Sequence, residues 1–211
     1  AANYAGYDYD ARGLTHERLL EMREAFLLSR MAVKIHRCPR AREVLDITTW
    51  ENGVKGAHMQ RVYEMADQEG RLCASIRSDW ILIDPVTRKI LRPGSFTAKP
   101  LTVCSKVIDC PEPQKIFLPR DRAKELGART IRWSDLDGNG HVYSANYGDI
   151  VWDCLPEDLQ PRVPREFYIN YSKEATLGET LCLLGLREKG DTCRVEGLGP
   201  KGTCFTALCV F

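Results

Sequence analysis

The densest run of side chains able to do chemistry is Ser134-Asp135-Leu136-Asp137-Gly138-Asn139-Gly140-His141. A carboxylate, a carboxamide and an imidazole at alternating positions can be splayed onto one side of an extended turn. Three chemistries fit that pattern. Asp135, Asp137 and Asn139 stand at positions 1, 3 and 5 of an EF-hand loop, with Gly140 at 6 and Val142 at 8, but position 12 is Asn146, where a bidentate carboxylate is needed. Asp, Asn and Gly are also what any strand-to-helix turn uses to bond the first N–H groups of a helix. The third reading is catalysis, with polar side chains facing one cleft beside helix N–H donors suited to an oxyanion.

The flanking elements are those that would hold such a turn. Arg129 to Trp133 reads as a short strand ahead of it. Behind it, Tyr147, Ile150, Val151 and Cys154 fall at i, i+3, i+4 and i+7, a helix with one buried stripe that Pro156 stops. Four strands are expected next, Glu166 to Lys173, Thr180 to Leu186, Thr192 to Gly197 and Thr203 to Val210, broken by Gly178, Gly190-Asp191 and Gly199-Pro200-Lys201-Gly202. The first half shows a similar order. Leu19, Met22 and Phe26 predict a helix over Leu14 to Leu28, and from Ser29 the period changes to two, with Met31, Val33 and Ile35 alternating with charged residues. Val44 to Trp50, Ala57 to Ala66 and Leu72 to Ile83 are further strands, separated by Asn52-Gly53, by Gly56 and by Asp67-Gln68-Glu69-Gly70. The stretch from Pro93 to Pro119 holds five prolines and little periodicity, and reads as a linker between two copies of one α+β unit.

Composition removes several function classes. With 30 basic against 29 acidic side chains the net charge is +1, which argues against the broad phosphate neutralisation that nucleic-acid binding needs. No apolar run approaches the roughly 18 residues of a membrane span, and no basic segment followed by an apolar one opens the chain, so a cytoplasmic location is expected. Nine scattered cysteines form no CxxC pair and have no histidines at zinc-finger spacing, so reduced thiols and no structural zinc are expected. His16, His36 and His58 read as ordinary surface or strand residues.

The run Trp133-Ser-Asp-Leu-Asp-Gly-Asn-Gly-His141-Val-Tyr-Ser-Ala-Asn-Tyr147, closing with Asp153-Cys-Leu-Pro156, resembles the second domain of the acyl-acyl carrier protein thioesterases of plants and bacteria. The family form is S-D-L-D-x-N-x-H-V-N-N-x-x-Y, from which Tyr143 and Ser144 depart. Further matches are Leu28-Ser-Arg-Met31, Trp50 with Gly53-Val-Lys-Gly56, Trp80-Ile-Leu-Ile-Asp84 with Thr87-Arg-Lys89, and Tyr171-Ser-Lys-Glu174, so the resemblance runs from about Phe26 to the end.

The resemblance implies an α+β chain of two tandem hotdog domains, each an antiparallel sheet around a central helix. The first would occupy residues 1–98, a linker 99–128, and the catalytic domain 129–211. The segment Ala1-Ala-Asn-Tyr-Ala-Gly6 is similar only to the tail of the family's first long helix, so the first domain is expected to lack its opening strand and most of that helix. Apolar surface would then be left for the acyl chain or a second copy, making a homodimer. The implied activity is hydrolysis of a fatty acyl-carrier thioester at Asp137, Asn139, His141 and Glu174, with no metal or organic cofactor. Asp137 or Glu174 could activate water, or Asp137 could attack the carbonyl directly; the residue types leave that open. Many plant relatives have Glu-Cys where this chain has Glu174-Ala175, so no thiol attack is expected here. The implied partner is the acidic acyl carrier protein, and Arg120, Arg122, Lys124, Arg162 and Arg165 could meet it or be a solvated face. Rival readings are a coenzyme A thioesterase and a silent acyl-binding or carrier-binding module.

Overall fold

The structure is a computed structural model that describes residues 9–11, 13–96, 103–104 and 106–211. The expected helix tail at Ala1 to Gly6 lies outside the described residues. The chain divides into two compact units, Ala1–Pro113 and Gln114–Phe211. The division falls within the proline-rich stretch.

In the first unit, helix α1 (His16–Glu21) begins at Thr15, whose hydroxyl accepts from the Arg18 N–H at 3.2 Å. It ends well short of the expected Leu28. Arg23 adopts a left-handed φ of 57°, and the Arg23 and Glu24 N–H groups bond back to the Leu20 and Leu19 carbonyls. Strand β1 (Ala25–Ile35) therefore starts four residues before the period-two signal at Ser29. The misreading has a physical cause: Leu19, on the helix, and Phe26, on the strand, pack against the same cluster of Leu14, Met59, Leu82 and Phe96. One buried target served by two elements imitates the stripe of one helix.

Strands β2 (Leu45–Lys55), β3 (His58–Asp67) and β4 (Leu72–Ile83) complete an antiparallel order β2-β3-β4-β1. Asn52-Gly53 does not turn the chain as expected. The register shifts between Glu51 and Gly53, Gly53 takes φ of 100°, and β2 continues through a bulge to a two-residue turn at Gly56-Ala57.

The second unit opens with β5 (Lys124–Thr130), earlier than the expected strand at Arg129 to Trp133. Strand pairing ends at Thr130 with Thr180, and residues Trp133–Asp135 form a 3₁₀ turn that leaves Trp133 exposed. After helix α2 (Asn146–Asp153) come β6 (Glu166–Tyr171), β7 (Thr180–Glu188), β8 (Thr192–Gly199) and β9 (Gly202–Val210), in the antiparallel order β6-β9-β8-β7-β5. Helix α2 buries Tyr147, Ile150 and Val151. The Tyr147 ring lies 5.1 Å from Phe205 on β9 and 5.9 Å from Tyr171 on β6, which seats the first turn of the helix on the sheet. Gly197 makes room for this: a Cβ there would stand 2.2 Å from the Phe205 ring.

Candidate active site

Asp135 anchors the turn that carries the polar run. Its carboxylate is buried and accepts from Arg129 Nη2 at 2.8 Å and from the Arg132 N–H at 2.7 Å. Its backbone carbonyl accepts from the Tyr143 N–H at 2.8 Å and from Asn146 Nδ2 at 3.1 Å. Leu136 and Val142 pair across the loop, and the Asp137 N–H donates to the His141 carbonyl at 2.8 Å. The two ends of the EF-hand-like spacing, Asp135 and Asn146, are thus bonded to each other. Both oxygens of the Asp135 carboxylate are already committed to Arg129 and Arg132, so the loop is closed by its own polar groups.

Within that frame, Asp137 Oδ1 accepts from the Asn139 N–H at 2.8 Å and from the His141 N–H at 3.3 Å. This bonding shapes the turn and is what the structural reading of Asp-Gly-Asn-Gly asks for. Asn139 lies exposed on its outer bend, and Gly140 has φ of 75°. His141 comes back toward the sheet: it bridges to Thr176, and the Val142 N–H donates to the Ala175 carbonyl at 3.0 Å.

Those two contacts bring Glu174 to the imidazole. Glu174 follows β6, where the Ser172 and Lys173 N–H groups still bond to the Cys204 and Thr203 carbonyls. Its Oε2 stands 3.4 Å from His141 Nε2, and both side chains are about one-third exposed, 35% and 33%, so water reaches the pair. Of the four candidates, His141 and Glu174 meet side chain to side chain. Asp137 reaches His141 through the backbone, and Asn139 shares the turn.

Sequence reasoning did not single out the supports. Glu179 Oε2 accepts from the Thr176 N–H at 2.8 Å and fixes the chain just past Glu174. Tyr171 donates its hydroxyl to the Ser144 carbonyl at 3.2 Å. Burial pushes the Tyr147 and Tyr171 phenols far above their ordinary range, so both stay neutral donors or acceptors beneath the site. The Tyr171 bond joins segments 27 residues apart and leaves no local pattern, whereas Glu179 closes Thr176-Leu-Gly-Glu179, a three-residue spacing that was open to local reading.

Ala175 is fully buried. Cys154 caps α2 at the end opposite the loop, and burial, with Asp153 adding to it, pushes its thiol up to about 11. Cys182 lies half-buried on β7. Among the described residues no group of three or more His, Cys, Asp or Glu is placed to hold a metal ion. Of the expected basic patch, Arg120 is bound to buried Glu196 at 2.9 and 3.0 Å, Arg162 to Asp191 at 2.6 Å, and Arg165 to the Phe211 carbonyl at 3.2 Å.

Comparison with known proteins converges on one family. A model of the acyl-ACP thioesterase N-terminal domain matches residues 3–93, and one of the acyl-ACP thioesterase C-terminal domain matches residues 119–196. The chain is 27% identical over 179 residues to the chloroplastic acyl-[acyl-carrier-protein] hydrolase FATB2 of Cuphea viscosissima, covering 81% of this chain and 43% of that protein. It is 26% identical over 137 residues to the chloroplastic palmitoyl-acyl carrier protein thioesterase of Gossypium hirsutum, covering 62% of this chain and 33% of that one. The chain thus spans less than half the length of these curated relatives. Among solved structures, an acyl-ACP thioesterase from Bacteroides thetaiotaomicron superposes with a TM-score of 0.89 at 24% identity, covering all of this chain and 86% of that one. The 12:0-ACP thioesterase of Umbellularia californica gives 0.76 at 18% identity, covering 99% and 85%. At these identities the structural likeness is one of fold, and it assigns the chain to the α+β hotdog architecture.

Proposed function

Because this chain belongs to the acyl-ACP thioesterase family, we propose that it hydrolyses the thioester joining a fatty acyl chain to acyl carrier protein and releases the free fatty acid. The observation that carries the reading is the 3.4 Å approach of His141 to Glu174, beside a turn that also bears Asp137 and Asn139. A carboxylate takes a proton from water as the oxygen adds to the thioester carbonyl. The C–S bond then breaks, and the carrier thiolate leaves with a proton. Glu174 or Asp137 is the base, or Asp137 itself attacks and water later cleaves the anhydride. Asn139 orients the reacting groups, and His141 positions Glu174 or donates to the developing oxyanion. The chain's own residues supply every one of these roles, so the reading includes no metal or organic cofactor.

The partner in this reading is acyl carrier protein loaded with a fatty acyl chain, with no nucleic acid. Among the described residues no helix is long and apolar enough to cross a membrane. All nine cysteines are free, which fits a reducing compartment such as the cytoplasm. A homodimer is also part of the reading, supported by exposed Ile47 and Val54 on β2, the terminal strand in the order of its unit. Light scattering that finds only monomer overturns that part.

Turnover of one acyl chain on its carrier protein and on coenzyme A tests the activity. Faster hydrolysis of the carrier thioester is expected, and Asp137→Ala and Glu174→Ala should each lower kcat by on the order of 10² or more, the scale of losing a general base. No turnover of either thioester would leave a silent binding module, and a preference for coenzyme A would move the substrate.

A further inference from the structure

A cleft of about 280 Å³ opens in the second unit where the C-terminal end of α2 meets β5, β7 and β8. It lies away from the candidate active site, because the loop carrying His141 enters α2 at Asn146, whereas the cleft begins at Cys154 and Pro156. Eight helical residues separate the two ends by roughly 12 Å.

Its lining is amphipathic and of one sign. Arg122, Lys124, Arg187 and Arg194 are the charged residues around it, and no carboxylate lines it. Two of the four cations are already neutralised: Arg187 binds Asp158 at 3.0 Å and Asp191 at 2.7 Å, and Arg194 binds Glu188 at 2.9 Å. Among the described residues the Arg122 and Lys124 side chains take no such partner, so the cleft keeps two uncompensated positive charges on one side. The rest of its wall is apolar, formed by Leu126, Val195 and Pro156 with the thiols of Cys154 and Cys193, which burial holds protonated; Leu186 pairs with Arg194 and projects from the other face of the sheet. Gly185 gives the floor its depth. A Cβ there would stand 2.4 Å from Leu126 Cδ1, so the leucine lies flat over bare backbone.

We propose that this cleft binds an alkyl carboxylate, with the alkyl chain against Leu126, Val195 and Pro156 and the carboxylate at the Arg122 and Lys124 edge. An inorganic anion would leave the apolar wall wet, and a neutral alkane or alcohol would leave both cations unanswered, so the ligand must carry both features. The volume of about 280 Å³ falls just below the usual range of small-molecule sites, roughly 300–1,000 Å³, which favours a short or medium chain. A protein surface would need a flatter face than this concavity. The binding does not rest on the hydrolysis proposed above.

The test is titration of the full chain with decanoate by calorimetry, with amide shifts followed by NMR. Saturable binding is expected, with the largest shifts at Leu126, Gly185 and Val195 rather than at Asn139 and His141. Arg122→Gln combined with Lys124→Gln should weaken it about tenfold, the sum of two exposed charge contacts, and so should raised salt. Decanol and inorganic phosphate should each bind more weakly than decanoate. Both substituted residues are exposed and take no side-chain partner among the described residues, so the double variant should fold, which its melting curve checks. The proposal is overturned if decanoate shifts only the residues around His141, if decanol or phosphate binds as tightly, or if the double variant binds decanoate unchanged. It is equally overturned if decanoate does not bind while the double variant loses affinity for acyl carrier protein, since the cleft edge would then be a protein dock.

Discussion

Asp135→Ala removes the anchor of the candidate turn without touching any residue proposed for the chemistry. The carboxylate accepts two bonds, from the Arg129 guanidinium at 2.8 Å and the Arg132 N–H at 2.7 Å, and is itself only 6% exposed. Bonds to a charged group contribute about 1.5–3 kcal/mol each, but the Arg129 side chain is 39% exposed and the Arg132 residue faces water, so solvent replaces part of both. A loss of roughly 2–3 kcal/mol remains. For a chain of this length that lowers Tm by about 5–10 °C, at roughly 2–4 °C per kcal/mol. Asp135→Asn keeps one acceptor oxygen for Arg132 and should lose about half as much.

The functional effect is larger than the stability effect. The loop between Asp135 and Asn146 holds His141 against Glu174, and a displacement on the order of 1 Å at such a pair costs about 10²-fold in rate. Because Asp135 does not reach the substrate, the loss should fall on kcat, with KM changing by less than about threefold. Circular dichroism melting gives the first number, and steady-state hydrolysis of an acyl carrier thioester, run well below the variant's Tm, gives the second. An Asp135→Ala protein that melts within about 1 °C of the parent and turns over normally refutes the reasoning. The melting shift stands as a test even where the substrate assignment fails.

Three further outcomes follow from the geometry. Cys154→Ser and Cys182→Ser should lower Tm while leaving kcat within about twofold, since the Cys154 thiol is pushed up to about 11 and the proposed chemistry runs through carboxylates; loss of turnover in a folded serine variant would return the chemistry to sulfur. Activity should survive EDTA, and calcium should not raise Tm, because both Asp135 oxygens are occupied by Arg129 and Arg132; calcium-restored activity would contradict this. Burial alone would raise the Glu196 carboxyl, but Arg120 and Thr203 outweigh it and hold it below its ordinary range, so its contribution is complete above the unfolded value near 4.3 and is lost as pH falls through the lower folded one. Arg120→Gln should therefore lower Tm at pH 7 and flatten its fall in acid, measured by melting curves from about pH 7 to pH 3; an acid limb unchanged in slope would show that the pair does not control it.

Much of the sheet was legible because its strands are apolar runs bounded by glycine turns, and β7 also alternates in burial. Expected Leu72 to Ile83 coincides with β4, and β6, β7 and β8 begin at the expected Glu166, Thr180 and Thr192. The misreadings came where the periodic signal was absent or shared. Strand β5 is exposed along nearly its whole length and is held by backbone pairing to β7, so Lys124 to Gly127 carries no apolar period to read. Asn52-Gly53 has the composition of a hairpin turn, yet the ladder to β3 continues past it, because a left-handed glycine serves a bulge as well as a turn.

The candidate site divides along the same line. Asp137, Asn139 and His141 are neighbours in sequence, so their clustering on one turn needed only local reasoning. Glu174 is not local, and residue types alone gave no reason to prefer it over other carboxylates; only the resemblance named it. What joins it to His141 is a pair of backbone contacts, His141 to Thr176 and Val142 to Ala175, made because β6 delivers its end to the returning limb of the loop. Backbone groups carry no signature of residue type, so such a junction leaves no trace in composition or spacing. The same fact gives Ala175 its place: its carbonyl, not its side chain, holds the loop, and its methyl group is fully buried while Glu174 beside it meets the imidazole. The clamp on the Ala175 carbonyl therefore fixes the backbone of the residue before it, and in this chain that residue brings a carboxylate to within 3.4 Å of His141.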